Sequence, residues 1–316
     1  MNVLQEILRA EQRIRPHIYE TPLLYSQPLS KLTGGHVLLK LENLQYTGSF
    51  KVRGALNALL SLNEEQRLQG VVTASSGNHG CAVAYGMQKL GMQGIIFVPE
   101  GASPVKVAAI QSYGARVQTW GTDSVETEQY ARSYAETHAM LYIPPYNDLR
   151  VIGGQGTIAV EICRQVERVD AAYVAVGGGG LISGLATYLK AVFPHAQVIG
   201  CLPENSAVMA KSVEAQRILD IPSLPTLSDG TAGGIEPDAI TFPLCQQLVD
   251  DYVLVSEAEI RQAMRQHIEQ HHMLIEGAAG VALAALLKQP TRFQAKTTVV
   301  VLCGANISLE TLRSVL

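Results

Sequence analysis

Short, largely apolar runs recur along the 316-residue sequence, and most are followed by a stretch whose apolar residues repeat every three to four positions. Val37–Leu41, Gly70–Ala74, Ile95–Val98, Arg116–Trp120, Met140–Ile143, Ala171–Val176, Gln197–Leu202, Asp251–Ser256 and Thr297–Leu302 read as strands. Helix patterns fall around residues 3–15, 55–60, 104–112, 123–137, 156–166, 181–193, 257–272 and 277–287. Strands apolar on both faces that alternate with helices specify an α/β chain of mainly parallel open sheets covered by helices. Such sheets bind ligands beyond the carboxyl ends of their strands, so the strand-to-helix junctions are where function is sought.

The chain is long enough for two globular units, and 47% hydrophobic against 16% charged residues excludes a disordered chain. A formal net charge of −4 with mixed signs leaves no basic stripe for nucleic acid. The opening Met1–Arg15 is charged and amphipathic, without a signal-peptide core, and no apolar run spans a bilayer. A cytoplasmic protein acting on a small molecule is expected, with no nucleic acid and no membrane. The five cysteines are scattered and never form a C-x-x-C pair, so neither a disulfide framework nor a zinc knuckle is expected.

Three junctions carry chemistry. Thr47-Gly48-Ser49-Phe50-Lys51-Val52-Arg53-Gly54-Ala55 sets Lys51 at a helix start, where a cation gains nothing from the helix dipole and its placement asks for a reason. Gly177 to Gly180 follow a strand and open a helix, so their N–H groups can converge on an anion. Counted from Gly177, a P-loop and a dinucleotide fingerprint both fail at Ile182, which favours a small phosphate ester. Ser75-Ser76-Gly77-Asn78-His79-Gly80 offers hydroxyls, an amide and helix-start N–H groups suited to a carboxylate and a phenolic oxygen. His79 alone reads as structural rather than as a base. His267 and His271 stand at i and i+4, but the glutamate of His267-Ile268-Glu269-Gln270-His271 is one place too late for a metalloprotease helix, which leaves a solvated face.

Together with Cys303-Gly304-Ala305-Asn306 at the last strand end, these motifs resemble, in order and across nearly the whole chain, the serine/threonine dehydratase and serine racemase family, fold type II enzymes that use pyridoxal 5'-phosphate (PLP). The resemblance implies a large domain of residues 1–69 and 147–316, a small domain of residues 70–146 inserted in it, and a homodimer. It makes Lys51 the Schiff-base lysine and Phe50 a packing partner of the cofactor ring. Asn78 would bond the phenolic oxygen, Gly177, Gly178, Gly179, Gly180 and Leu181 would hold the phosphate, and Cys303 would face the pyridine nitrogen. Ser75, Ser76, Asn78 and His79 would surround the substrate carboxylate.

A neutral thiol at the ring nitrogen makes a shallower electron sink than a carboxylate would, favouring prompt loss of a β-substituent. The expected activity is an ammonia-lyase: the Lys51 amine takes the α-proton of L-threonine, L-serine or a related β-hydroxy amino acid, the β-hydroxyl leaves, and a 2-oxo acid and ammonia result. Serine racemization competes, since Ser76 would stand across the ring from Lys51. A non-catalytic PLP-binding or amino-acid-sensing protein is the reading from a different class.

The sequence departs from the family in places. Glu204 matches one acid of the family's cation site, while Ala210 stands near the second, so a monovalent ion is favoured over a tight divalent one. Glu276, in Ile275-Glu276-Gly277-Ala278-Ala279-Gly280, matches a family element and is either a supporting residue of the site or a helix-start glutamate. The chain stops at Leu316, so the regulatory domain of biosynthetic threonine dehydratases, and feedback by isoleucine, are not expected. Asp229-Gly230-Thr231-Ala232-Gly233-Gly234 is expected to line the side-chain pocket with Gly233 against the substrate. Its small residues leave room for phenylserine or a hydroxyectoine-pathway intermediate, while the lack of an arginine in this loop disfavours hydroxyaspartate.

Overall fold

The computed structural model describes residues 2–316; Met1, the first residue of the amphipathic opening stretch, lies outside them. Its strands are β1 (Leu23–Tyr25), β2 (His36–Lys40), β3 (Val71–Ala74), β4 (Gly94–Val98), β5 (Arg116–Thr119), β6 (Leu141–Tyr142), β7 (Ala171–Ala175), β8 (Gln197–Pro203), β9 (Asp251–Val255) and β10 (Thr297–Val301). They form a six-stranded sheet in the order β1-β2-β10-β7-β8-β9 and a four-stranded sheet in the order β5-β4-β3-β6. All pairings are parallel except that of β1, which lies antiparallel to β2 at the edge. Pro22, just before β1, lacks an N–H and is tolerated at an edge, where its carbonyl still accepts from Leu41 at 3.1 Å.

In the large sheet β7, β8 and β9 advance in one direction, and the chain then returns to place β10 between β7 and β2. Right-handed crossovers therefore put helix Gly180–Val192, between β7 and β8, on one face, and helices Glu257–His271 and Gly277–Lys288, between β9 and β10, on the other. The carboxyl ends of β2, β10 and β7 come to lie side by side. In the small sheet the pleat sorts the residues: Ile95 and Phe97 pack with Ala131 and Ala135 of helix Ser124–Thr137, while Ile96 and Val98 pack with Ala82, Val83 and Met87 of helix Asn78–Leu90.

Helix Lys51–Leu60 is sandwiched between helices Asn78–Leu90 and Leu149–Gln165. The latter begins seven residues before the expected Gly156, because the Asp148 carboxylate accepts from the N–H groups of Arg150 and Val151. Its glycines read as helix breakers but serve close approach. A Cβ at Gly154 would stand 2.5 Å from the Arg53 carbonyl, so this glycine sets how near the Lys51 helix can lie. No helix is long and apolar enough to cross a membrane among the described residues, and all five cysteines are free thiols.

Candidate active site

The segment leading from β2 to Lys51 is zipped to the segment that leaves β10. Asn43 N–H donates to Leu302 O (2.9 Å), Phe50 N–H to Cys303 O (3.0 Å) and Ala305 N–H to Gly48 O (2.9 Å), and Ser49 bridges Gly304. Lys51 thus starts its helix beside Cys303. Its Nζ donates to Pro145 O at 2.8 Å and lies 5.4 Å from the centroid of the Phe50 ring. Burial lowers the amine to about 8, against the opposing pull of Cys303 and Glu276. The buried Cys303 thiol is pushed up, first by burial and then by Glu276. Phe50 packs against the core of the large sheet.

Beyond β3 the chain turns through Ser75, Ser76 and Gly77 into helix Asn78–Leu90. Gly77 N–H donates to Ser75 Oγ at 3.2 Å, while the half-buried Ser76 hydroxyl makes no hydrogen bond among the described residues. Asn78 is fully engaged. Its Nδ2 donates to Glu276 Oε1 and Oε2 at 2.9 and 3.0 Å, and its Oδ1 accepts from Asn306 Nδ2 at 2.6 Å.

The His79 side chain does not join this group. The ring is only 3% exposed and is bonded through Nε2 to Ile143 O at 2.9 Å. Burial, and then Lys51, hold it neutral, with a pKa of about 3. Any part His79 takes in holding an anion falls to its main-chain N–H in the first turn of the helix.

Glu276 stands at the start of helix Gly277–Lys288 but does not cap it. It turns instead toward Asn78 and the Asn306 N–H (3.1 Å), and burial raises its pKa. Between the two readings of this glutamate left open by the sequence, its contacts fit the supporting residue.

The glycine loop follows β7. Gly179 adopts φ +84°, and a Cβ there would meet Met209, Cys245 and Thr241 at 2.9 to 3.0 Å, so only glycine fits. The N–H groups of Gly177, Gly178 and Gly179 have no partner among the described residues, and those of Gly180 and Leu181 lie in the unpaired first turn of helix Gly180–Val192. The loop is braced by Thr241, whose Oγ1 donates to Gly178 O at 2.7 Å, and by Tyr146, whose ring packs on Gly178 and whose Cβ and main chain pack on Gly180.

Two of the expected residues stand apart from this cluster. Gly233 is exposed, with its N–H turned to Ser206 Oγ (3.3 Å) and Ser223 Oγ (3.2 Å) and nothing within 4 Å of a Cβ. The loop meets the site through other residues: Thr231 lies against Gly177, and Gly230 against Glu276. Glu204, 51% exposed, faces the Lys288 ammonium at 3.6 Å. No group of three or more His, Cys, Asp or Glu side chains converges among the described residues. That carboxylate already answers to a cation of the chain itself.

Several residues at the site escaped the sequence reading. Pro145 lies 94 positions from Lys51 and contributes only a carbonyl; Tyr146 and Thr241 act by packing and by a single hydroxyl. Asn306, in a motif already noticed, could have been picked out as the one side chain there able both to donate and to accept.

Residues 14–304 match the family model of pyridoxal-phosphate dependent enzymes. The chain is 40% identical over 309 residues to the catabolic L-threonine dehydratase TdcB of Escherichia coli (strain K12), an alignment that covers 97% of this chain and 94% of that protein. It is 38% identical over 312 residues to a serine racemase of Arabidopsis thaliana, covering 97% and 93% of the two chains. The processed form of threonine deaminase isoform 2 from Solanum lycopersicum superposes with a TM-score of 0.94 at 32% identity, over 99% of this chain and 92% of that one. With residues 14–304 matched, a span that holds Lys51, the glycine loop and every strand of both sheets, the chain belongs to the family of pyridoxal-phosphate dependent enzymes.

Proposed function

We propose that this enzyme is an ammonia-lyase that dehydrates L-threonine, L-serine or a related β-hydroxy amino acid to a 2-oxo acid and ammonia. The observation that carries the reading is the Lys51 amine, lowered to about 8 and held between the ends of β2 and β10. The dehydratase and deaminase activities for which its relatives are named agree with it.

The residues fit pyridoxal phosphate: three successive glycine N–H groups without partners make a cradle for a phosphate, one strand away from an amine of lowered pKa. The cofactor supplies an aldehyde for amines and a ring that withdraws electrons from the substrate's Cα. Gly177 to Gly180 and Leu181 bind its phosphate, and Phe50 packs at the ring. Asn78, its orientation held by Glu276 and Asn306, would bond the phenolic oxygen by turning one amide hydrogen from Glu276, and the Cys303 thiol, kept protonated by burial, would serve the ring nitrogen.

Lys51, whose lowered pKa makes its neutral amine easier to reach than that of an ordinary lysine, would take the α-proton. Ser75, Ser76 and the first-turn N–H groups of Asn78 and His79 hold the substrate carboxylate. The β-hydroxyl would then leave as water, the proton gained by Lys51 balancing the one it carries away, and hydrolysis of the freed enamine would yield the 2-oxo acid and ammonia. We place the large domain at residues 1–69 and 147–316 and the small one at residues 70–146, in a cytoplasmic homodimer; size-exclusion chromatography with light scattering checks the dimer. A cation at Glu204 would have to displace Lys288.

A panel of β-hydroxy amino acids assayed for ammonia and 2-oxo acid tests the function: turnover of threonine or serine that is lost in Lys51→Ala supports it, and no turnover of any member overturns it. The uncommitted hydroxyl of Ser76 favours serine racemase as the second reading, and chiral analysis of the product from L-serine separates the two.

A further inference from the structure

Two residues beyond Lys51, on the first turn of the same helix, Arg53 is entirely buried. Its Nε and Nη2 donate to Glu42 Oε2 and Oε1 at 2.7 and 2.8 Å. Nη1 and Nη2 donate to Glu161 Oε1 and Oε2 at 2.7 and 2.9 Å, and Nη1 also reaches Thr157 Oγ1 at 3.1 Å. Glu161 is held in turn by the buried Lys40, 2.6 Å away, whose Nζ also donates to Thr21 O at 2.7 Å. Two cations and two carboxylates, all fully buried, thus join the end of β2, the turn after it, the Lys51 helix and helix Leu149–Gln165.

Burying four charges is a poor route to stability, because apolar residues of the same volume do as well or better. What a doubly bidentate guanidinium does supply is a fixed position and angle, since both of its forks have one seat. The helix it anchors needs such a seat: it begins at Phe50 without a side-chain cap, and its reactive lysine holds only one carbonyl. We infer that Arg53, clamped between Glu42 and Glu161, is a positioning residue that fixes the Lys51 amine against the cofactor and the substrate's α-carbon. This rests on the reading of Lys51 given above.

Arg53→Lys in the holoenzyme tests it, because lysine keeps the charge and loses both forks. The expected result is a kcat lowered about tenfold or more with KM within about twofold, as misplacement by an ångström or so costs, together with a shifted pH midpoint of the bound cofactor's visible band. Arg292→Gln is the comparison: Arg292 pairs with Asp251 at 2.5 Å at the start of β9 and touches no member of the clamp, so its loss lowers the melting temperature and leaves kcat and the band as in the wild type. If Arg53→Lys does not fold, Thr157→Val, which removes one bond to the guanidinium, is read in the same way with a smaller shift.

A variant whose melting temperature falls while kcat and the band stay unchanged overturns the inference. Borohydride reduction and peptide mapping of the wild type separate this from failure of the underlying reading. Label on Lys51 with wild-type kinetics in Arg53→Lys sinks the positioning role alone, and label on another lysine sinks both.

Discussion

Asn78 directs its amide nitrogen at both oxygens of the buried Glu276 carboxylate, at 2.9 and 3.0 Å, and so ties the small sheet's first helix to the helix that precedes β10. Burial raises the pKa of Glu276. The folded state therefore keeps the proton at pH values where the unfolded chain, near 4.5, has lost it. Stability falls as the pH rises above that value. Glu276→Gln should remove this fall, and denaturation curves of the two proteins from pH 4 to 7 should diverge in favour of the variant. Parallel curves would contradict the assignment.

For Lys51 the sign is opposite. Its folded value of about 8 lies below the ordinary 10.5, so the unfolded chain holds a proton that the folded one has lost between those values, and stability rises with pH there. In protein stripped of cofactor, Lys51→Met should be more stable than the wild type at pH 7. A gain of about 1–2 kcal/mol is expected once solvent screening of this part-buried amine is allowed for. The gain should vanish by about pH 10.5, as urea titrations at several pH values would read.

Gly179→Ala puts a Cβ into a left-handed backbone and against three neighbours. The strain amounts to about 1–2 kcal/mol before any clash. Because the amides of this loop are proposed to hold the cofactor phosphate, equilibrium dialysis should find pyridoxal phosphate bound at least about tenfold more weakly.

The loop from Asp229 to Glu236 is strapped to the small sheet's helices by Lys106–Asp229 at 2.6 Å and Arg132–Glu236 at 3.0 Å. The first pair is solvent-exposed and contributes under about 1 kcal/mol. The second is reinforced, since Arg132 also pairs with Glu128 at 2.6 Å and lies 4.3 Å from the Tyr142 ring centroid. Arg132→Met should therefore lower the melting temperature more than Lys106→Met, and limited proteolysis should cut this loop faster in the first variant than in the second.

Nine of the ten described strands were legible, most of them because they are short apolar runs whose pleat shows in the sequence, as in β4; β1, three residues long at an edge, was not among them. Lys51, the glycines and Cys303 were legible because each ends such a run. The antiparallel pairing of β1 was not, since an extended segment carries no mark of its direction. The first turns of helix Leu149–Gln165 were hidden because glycines that allow close packing look like breakers. The clamp on Arg53 was invisible for a different reason: Glu161 is 108 positions away, and nothing local in the sequence says which charges will meet. The exposure of Gly233 was not legible, because a small residue in a bordering loop is as free to face solvent as substrate.

The pairing of Phe50 with Cys303, and of Gly48 with Ala305, has a consequence for how the protein is made. Lys51 emerges from the ribosome early, but the wall against which its loop is aligned is translated some 250 residues later. Contacts of such long sequence separation form slowly and last. A nascent chain still short of Asn306 therefore carries its lysine on an unaligned loop, and catalytic competence should appear only once Asn306 has been synthesised.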